Sequence, residues 1–121
     1  MISLNSPPPA PVAIPRALTS RIGLAAYGRL SRGAQLVVNC VEQQQRDDAA
    51  VWHASIAHVA RVTGLGQDEV WSALRELRER RVLDLAAVAG AGEPVGVLVA
   101  AYADSRRLAL ALSEWSRRRG A

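Results

Sequence analysis

The sequence predicts a mostly helical α+β domain with a small β hairpin. Apolar residues recur at helical spacing over most of residues 16–81 and again over 104–119. Two β-prone runs, at 82–88 and 95–102, flank the turn-forming stretch AGAGEP. With 121 residues, half of them hydrophobic, the chain is long enough for one core and too short for two.

The chain divides near residue 16. Residues 1–15 contain five of the six prolines and are predicted to form a disordered, proline-rich arm. Residues 16–121 are predicted to form a single domain. Its core spans 30–102, and terminal helices cover 16–30 and 104–119.

Two short amphipathic helices with a tight turn lie at the centre of the chain. Ser55 is a suitable N-cap for the first, and Gly64 can adopt the positive φ that ends it. The second has the most regular apolar spacing in the chain. Its inner face is predicted to consist of Val70, Ala73, Leu74 and Leu77.

A helix and a short strand precede this pair. Ser31 is predicted to cap a helix with Val37 and Cys40 on its apolar stripe, and residues 49–54 are predicted to form a short strand. Cys40 is the only cysteine, which excludes an intrachain disulfide and fits a reducing, cytoplasmic location. We interpret it as a small buried side chain.

Several function classes lack support in the sequence. No apolar run reaches the length of a membrane span, so we expect no membrane partner. His53 and His58 are not accompanied by cysteine or carboxylate at metal-ligand spacing, and no phosphate-binding loop or nucleophile motif is present. We therefore expect no enzyme activity, no metal and no cofactor.

The net charge of +4 hides an uneven distribution along the chain. Residues 1–32 hold four arginines and no acid, and residues 105–121 hold five arginines against one acid. Residues 33–104 hold six arginines against ten acids. The basic character therefore belongs to the two ends of the chain. Their arginines either contact nucleic acid or only keep the surfaces of two terminal helices solvated.

The order helix, strand, helix, tight turn, helix, hairpin resembles the winged helix-turn-helix family. LSRGAQLVV (30–38) looks like its first helix, and WHASIAHVARVTGL (52–65) looks like its second helix and turn. VWSALRELRERRVL (70–83) looks like the third helix entering the wing. The resemblance covers about residues 30–102 and is closest to bacterial regulators and to N-terminal modules of plasmid and phage replication proteins.

The resemblance implies a double-stranded DNA-binding protein, a transcriptional or plasmid/phage regulator that acts as a homodimer. In that family the third helix enters the major groove. Carried over to this chain, the DNA contacts are expected at the two central helices and at the flanking arginines. These residues are Ser55, Gln67, Trp71, Ser72, Arg75, Arg29, Arg32, Arg117, Arg118 and Arg119.

Two departures from the family support an alternative function. Asp68 and Glu69 begin the third helix, where carboxylates repel phosphates, and the predicted wing tip offers only Glu93. The alternative is a protein-protein interaction module, a phage- or plasmid-type modulator of a host protein that does not read DNA. Trp71 would be its anchor, unless this side chain packs under the wing or against a terminal helix.

The apolar stripes of the two terminal helices predict a further contact. These helices are expected to pack together, either within one chain or across a two-fold axis. The predicted dimer interface consists of Leu18, Ile22, Leu108, Leu112 and Trp115.

Overall fold

A computed structural model describes residues 26–47, 49–89 and 95–120, with side chains through 118. In chain order its elements are α1 (Arg32–Gln43), β1 (Val51–Ser55), α2 (Ile56–Thr63), α3 (Gln67–Glu79), β2 (Leu83–Val88), β3 (Gly96–Ala101), a 3-10 turn (Tyr102–Asp104) and α4 (Ser105–Gly120). The predicted arm 1–15 and most of the helix predicted at 16–30 lie outside the described residues, as do Leu18 and Ile22.

The three strands form one antiparallel sheet in the order β1-β3-β2, which confirms the mostly helical α+β class. The predicted hairpin is β2 and β3. The short strand before α2 joins the same sheet, with Trp52 opposite Val99. On the other side of β3, Leu85 pairs with Val99 as well. The sheet is therefore larger than the two-stranded hairpin that the sequence predicted.

One face of the sheet closes the core formed by α1, α2 and α3. Its largest fully buried side chains include Ile56, Leu74, Leu77 and Leu83. Burying each of these contributes roughly 1.5–3 kcal/mol. Trp52 occupies this core as well, and its indole N–H donates to the carbonyl oxygen of Val41 at 2.9 Å, which satisfies the one polar atom of the ring.

The opposite face of the sheet is also apolar, and α4 covers it. Leu108 is 5% exposed and packs with Val88, Leu98 and Ala100. Leu112 and Trp115 are half-buried against the same cluster. The structure thus has three layers, with the sheet between α1–α3 and α4.

Leu108, Leu112 and Trp115, which the sequence predicted at the centre of a dimer interface, pack against the sheet of their own chain. Their contacts are made within the chain, because the outer face of the sheet would otherwise expose Leu98 and Ala100 to water. A homodimer remains a prediction from the sequence.

The predicted helix ends are confirmed by their local hydrogen bonds. The Ser31 hydroxyl accepts from the N–H of Ala34, and the Ser55 hydroxyl accepts from the N–H of His58. Gly64 ends α2 with φ of 76°, a left-handed conformation that costs glycine little. Gly64 also begins the three-residue connection between α2 and α3.

Candidate nucleic-acid interface

The exposed surface of α3 is divided by charge along its length. The side nearest the start of α1 carries Asp68, Glu69 and Glu76. The side nearest the sheet carries Arg75 and Arg78. The two sides therefore favour opposite kinds of ligand.

The acidic side borders a depression of about 320 Å³ between α3 and the start of α1. Glu76 accepts two hydrogen bonds there from Ser31, at 2.8 Å from the backbone N–H and 2.7 Å from the hydroxyl. Burial acts to raise the pKa of Glu76, but these bonds and the nearby Arg80 guanidinium outweigh it, so the pKa lies below its usual value. Glu76 is therefore an ionised structural link at neutral pH.

Asp68 and Glu69 are exposed at the start of α3. Glu69 accepts a hydrogen bond at 3.1 Å from the N–H of Gly66, which caps the helix and suits its dipole. Neither carboxylate forms an ion pair with an arginine of the described residues, where the ion pairs involve Asp84, Glu76 and Glu114 instead. Their charge still faces any ligand that approaches the first turn of α3.

The basic side is a row of three arginines, Arg75, Arg78 and Arg81, which we call the arginine row. All three are exposed and line one cavity of about 460 Å³ with Glu79 and Asp84. Asp84 lies 3.7 Å from the Nε of Arg78, so one of the two acids is already partly neutralised. Spacing of three residues along a helix places the first two side chains on one side of α3.

The end of α3 directs the third arginine into this row. The N–H of Arg81 donates to the carbonyl of Arg78, and the N–H of Val82 donates to that of Leu77, which is a Schellman motif. Arg81 therefore has φ of 59°, a left-handed conformation that glycine usually occupies. Its guanidinium lies 5.2 Å from the centre of the Tyr102 ring.

Trp71 lies between α3 and the β2–β3 hairpin. It is half-buried against the core and borders a groove of about 260 Å³ whose apolar lining includes Leu85, Ala87 and Val97. Arg75 and Arg78 line the same groove. We call this the Trp71 groove. Trp71 is therefore partly packed on the core and also lines this groove.

The remaining predicted DNA contacts occupy different places. Ser55 caps α2, and Gln67 is exposed at the first position of α3. Ser72 is exposed but lines the depression that holds Asp68 and Glu76. With Glu69 also in this lining, a phosphate at Ser72 would meet three carboxylates, which makes Ser72 a poor phosphate contact.

The flanking arginines are separated by the sheet. Arg29 and Arg32 are exposed next to Ser31, beside the middle of α3. Arg117 and Arg118 are exposed on α4, and Arg118 lies 3.9 Å from Glu114. Since α4 covers the far face of the sheet, these two do not belong to the surface of α3. The side chain of Arg119 lies outside the described residues.

Sequence reasoning did not include Arg78, Arg81 and Tyr102 in the candidate interface. The spacing of arginines at 75, 78 and 81 was visible in the sequence and could have shown part of the row. The positive φ of Arg81 had no such signal, because glycine is the residue that marks a Schellman motif.

The histidines and the cysteine have structural surroundings. The His53 ring stacks on Trp115 with centroids 5.3 Å apart, and His58 Nδ1 lies 3.3 Å from the guanidinium of Arg61. Cys40 is buried, and burial raises the pKa of its thiol despite a hydrogen bond from Gln44, which disfavours the reactive thiolate.

Two kinds of feature are absent from the described residues. No group of three or more histidine, cysteine, aspartate or glutamate side chains is arranged to hold a metal ion in this part of the chain. Among the helices described, none combines the length and apolar character needed to cross a membrane.

Comparisons with known proteins add no relative. No protein-family model matches the chain, and neither a curated protein nor a solved structure matches it.

Proposed function

We propose that this protein binds double-stranded DNA through the sheet side of α3, as a winged helix-turn-helix regulator. The observation that carries the proposal is the arginine row at the end of α3. Arg75, Arg78 and Arg81 are exposed together on one cavity, next to the hairpin that corresponds to the wing. Arginine guanidinium groups in such a row suit successive phosphates of one strand.

The arrangement of charge refines which part of α3 contacts DNA. The first turn, with Asp68 and Glu69, repels phosphate and can accept only from base donors such as the cytosine amino group. The end of α3 supplies the phosphate contacts. We therefore place Arg75, Arg78 and Arg81 on the DNA backbone and Gln67 over base edges, where a glutamine amide can pair with adenine.

Duplex binding measured by fluorescence anisotropy at low salt tests the proposal. The double variant R75Q/R78Q should bind a labelled duplex about tenfold or more weakly than the wild type, because two phosphate contacts are lost. R106Q/R107Q is the matched control: it removes the same charge from exposed positions on α4. Equal affinities for the two double variants would refute the proposed surface.

A further inference from the structure

The Trp71 groove has the composition of a site for a protein segment rather than a small molecule. Its volume of about 260 Å³ lies below the range of about 300–1,000 Å³ typical of ligand pockets, and is suited to one or two side chains. Trp71, Leu85, Ala87 and Val97 provide the apolar lining. Tryptophan and arginine are the residues most enriched at the energetic centres of protein interfaces.

The charge beside the groove identifies the kind of segment. Arg75 and Arg78 are the two charged residues that line it within the described part of the chain, and both are exposed. Asp68 and Glu69 line the depression on the other side of α3. A carboxylate close to the groove therefore meets two arginines, of which Arg78 is already 3.7 Å from Asp84 while Arg75 has no ion-pair partner among the described residues.

We infer that the Trp71 groove binds an acidic peptide segment of a partner protein, with one large apolar side chain inserted between α3 and the hairpin. The apolar side chain contacts Trp71 and Leu85, and neighbouring carboxylates of the segment pair with Arg75 and Arg78. This function goes beyond DNA binding. Because Arg75 and Arg78 also belong to the arginine row, the acidic segment and DNA exclude each other, which gives the partner control over DNA release.

A direct binding measurement tests the groove without DNA. The probes are short capped peptides with one phenylalanine or leucine flanked by glutamates and aspartates. Two control sets replace the apolar residue by alanine, or the acids by glutamine and asparagine. Nitrogen-labelled protein gives separate indole N–H signals for Trp52, Trp71 and Trp115. We expect the acidic peptides that carry the apolar residue to shift the Trp71 signal. The Trp52 signal should stay unchanged, because the Trp52 indole is buried and its N–H donates to Val41.

A substitution at the exposed Ala87 blocks the groove without entering the core. A87E places a carboxylate beside Arg75 and Arg78, and should weaken peptide binding about tenfold or more. A57E makes the same change at an exposed position of α2 and should leave peptide binding unchanged. In a competition experiment with labelled duplex, the acidic peptide should release DNA from the wild type.

Four results would overturn the inference. The first is that no peptide shifts the Trp71 signal at concentrations up to about 1 mM, and the second is that the neutral control peptides bind as tightly as the acidic ones. The third is that A87E and A57E bind the acidic peptide equally well. The fourth is that a single-stranded oligonucleotide shifts the Trp71 signal while no peptide does. Peptide binding does not depend on DNA binding. If the protein binds the peptide but no duplex, the proposed DNA contact is refuted and the proposed peptide site in the Trp71 groove is still supported.

Discussion

Ser31 and Glu76 join the start of α1 to the middle of α3, although they are 45 residues apart in the sequence. The Glu76 carboxylate accepts from both the N–H and the hydroxyl of Ser31, while the same hydroxyl accepts from the N–H of Ala34. One serine therefore caps its own helix and fixes the helix that carries the arginine row. This link adds to the burial of Val70, Leu74 and Leu77, which holds α3 on the core.

We expect Glu76→Gln to lower the free energy of unfolding by about 1 kcal/mol at pH 7, because two charge-assisted hydrogen bonds are weakened at a partly exposed site. The pKa of Glu76 lies below its ordinary value of 4.5 in the folded protein. Its stabilising effect is therefore present above that value and is lost as the pH falls through the folded pKa. Urea unfolding at a series of pH values below 7 measures this, and a difference between the two proteins that does not shrink as the pH falls would contradict it.

The third layer of the fold gives a second prediction. Leu108→Ala should lower the free energy of unfolding by about 2–3 kcal/mol, because it opens a cavity between α4 and the sheet. Leu110→Ala is the matched control, since Leu110 is 67% exposed on the same helix. It should change stability by less than about 0.5 kcal/mol. Similar losses for the two variants in urea unfolding would show that α4 is not packed on the sheet as described.

The sequence predicted the ends of the helices better than the way the helices pack on the sheet. Caps at Ser31 and Ser55 and the turn at Gly64 depend on local chemistry, which periodicity and residue type reveal. The layer formed by α4 depends on long-range contacts. The run VGVLVAAY at 95–102 shows no alternation of polar and apolar residues, which is typical of a strand buried on both faces. This absence of alternation could have predicted that another element, here α4, packs on the outer face of the sheet.

The exposed acids at the start of α3 give a third prediction. Asp68→Asn should strengthen binding to a random duplex severalfold at low salt, because it removes a charge that repels phosphate. Glu69→Gln removes an equal charge and also weakens the cap on Gly66. We expect it to strengthen duplex binding as well, with a loss of stability of about 0.5–1 kcal/mol that Asp68→Asn does not show. Anisotropy and urea unfolding together distinguish the two effects, and weaker duplex binding by Asp68→Asn would contradict the expectation.

Arg81 gives a fourth prediction, because its backbone and its side chain act in opposite directions. Glycine relieves the strain of a positive φ by about 1 kcal/mol, while loss of the contact with Tyr102 costs about 0.5–1 kcal/mol. Arg81→Gly should therefore leave the free energy of unfolding nearly unchanged. It should still weaken duplex binding, since one arginine of the row is gone. Urea unfolding measures the stability of this variant, and fluorescence anisotropy measures its affinity for the duplex. An unchanged duplex affinity would show that Arg81 does not contact DNA.

The candidate site was only partly predictable. Arg75 and Trp71 were identified because they lie on the outer side of a helix with regular apolar spacing. Which charges share a surface was not visible, because this depends on tertiary packing. Glu76 faces Ser31 across 45 residues, and Arg81 lies over Tyr102 after the chain has passed through two strands. Arg117 was expected beside α3, but α4 places it on the far layer.

The salt dependence of duplex binding tests the central claim most directly. The logarithm of the affinity should fall linearly with the logarithm of the salt concentration for the wild type, and R75Q/R78Q/R81Q should reduce this slope by about 2–3, since each phosphate contact contributes about 0.9. R106Q/R107Q/R117Q removes the same charge from exposed positions on α4 and should leave the slope nearly unchanged. If the slope falls in the α4 variant instead, or if the wild type binds no duplex even at low salt, DNA is not held by the arginine row.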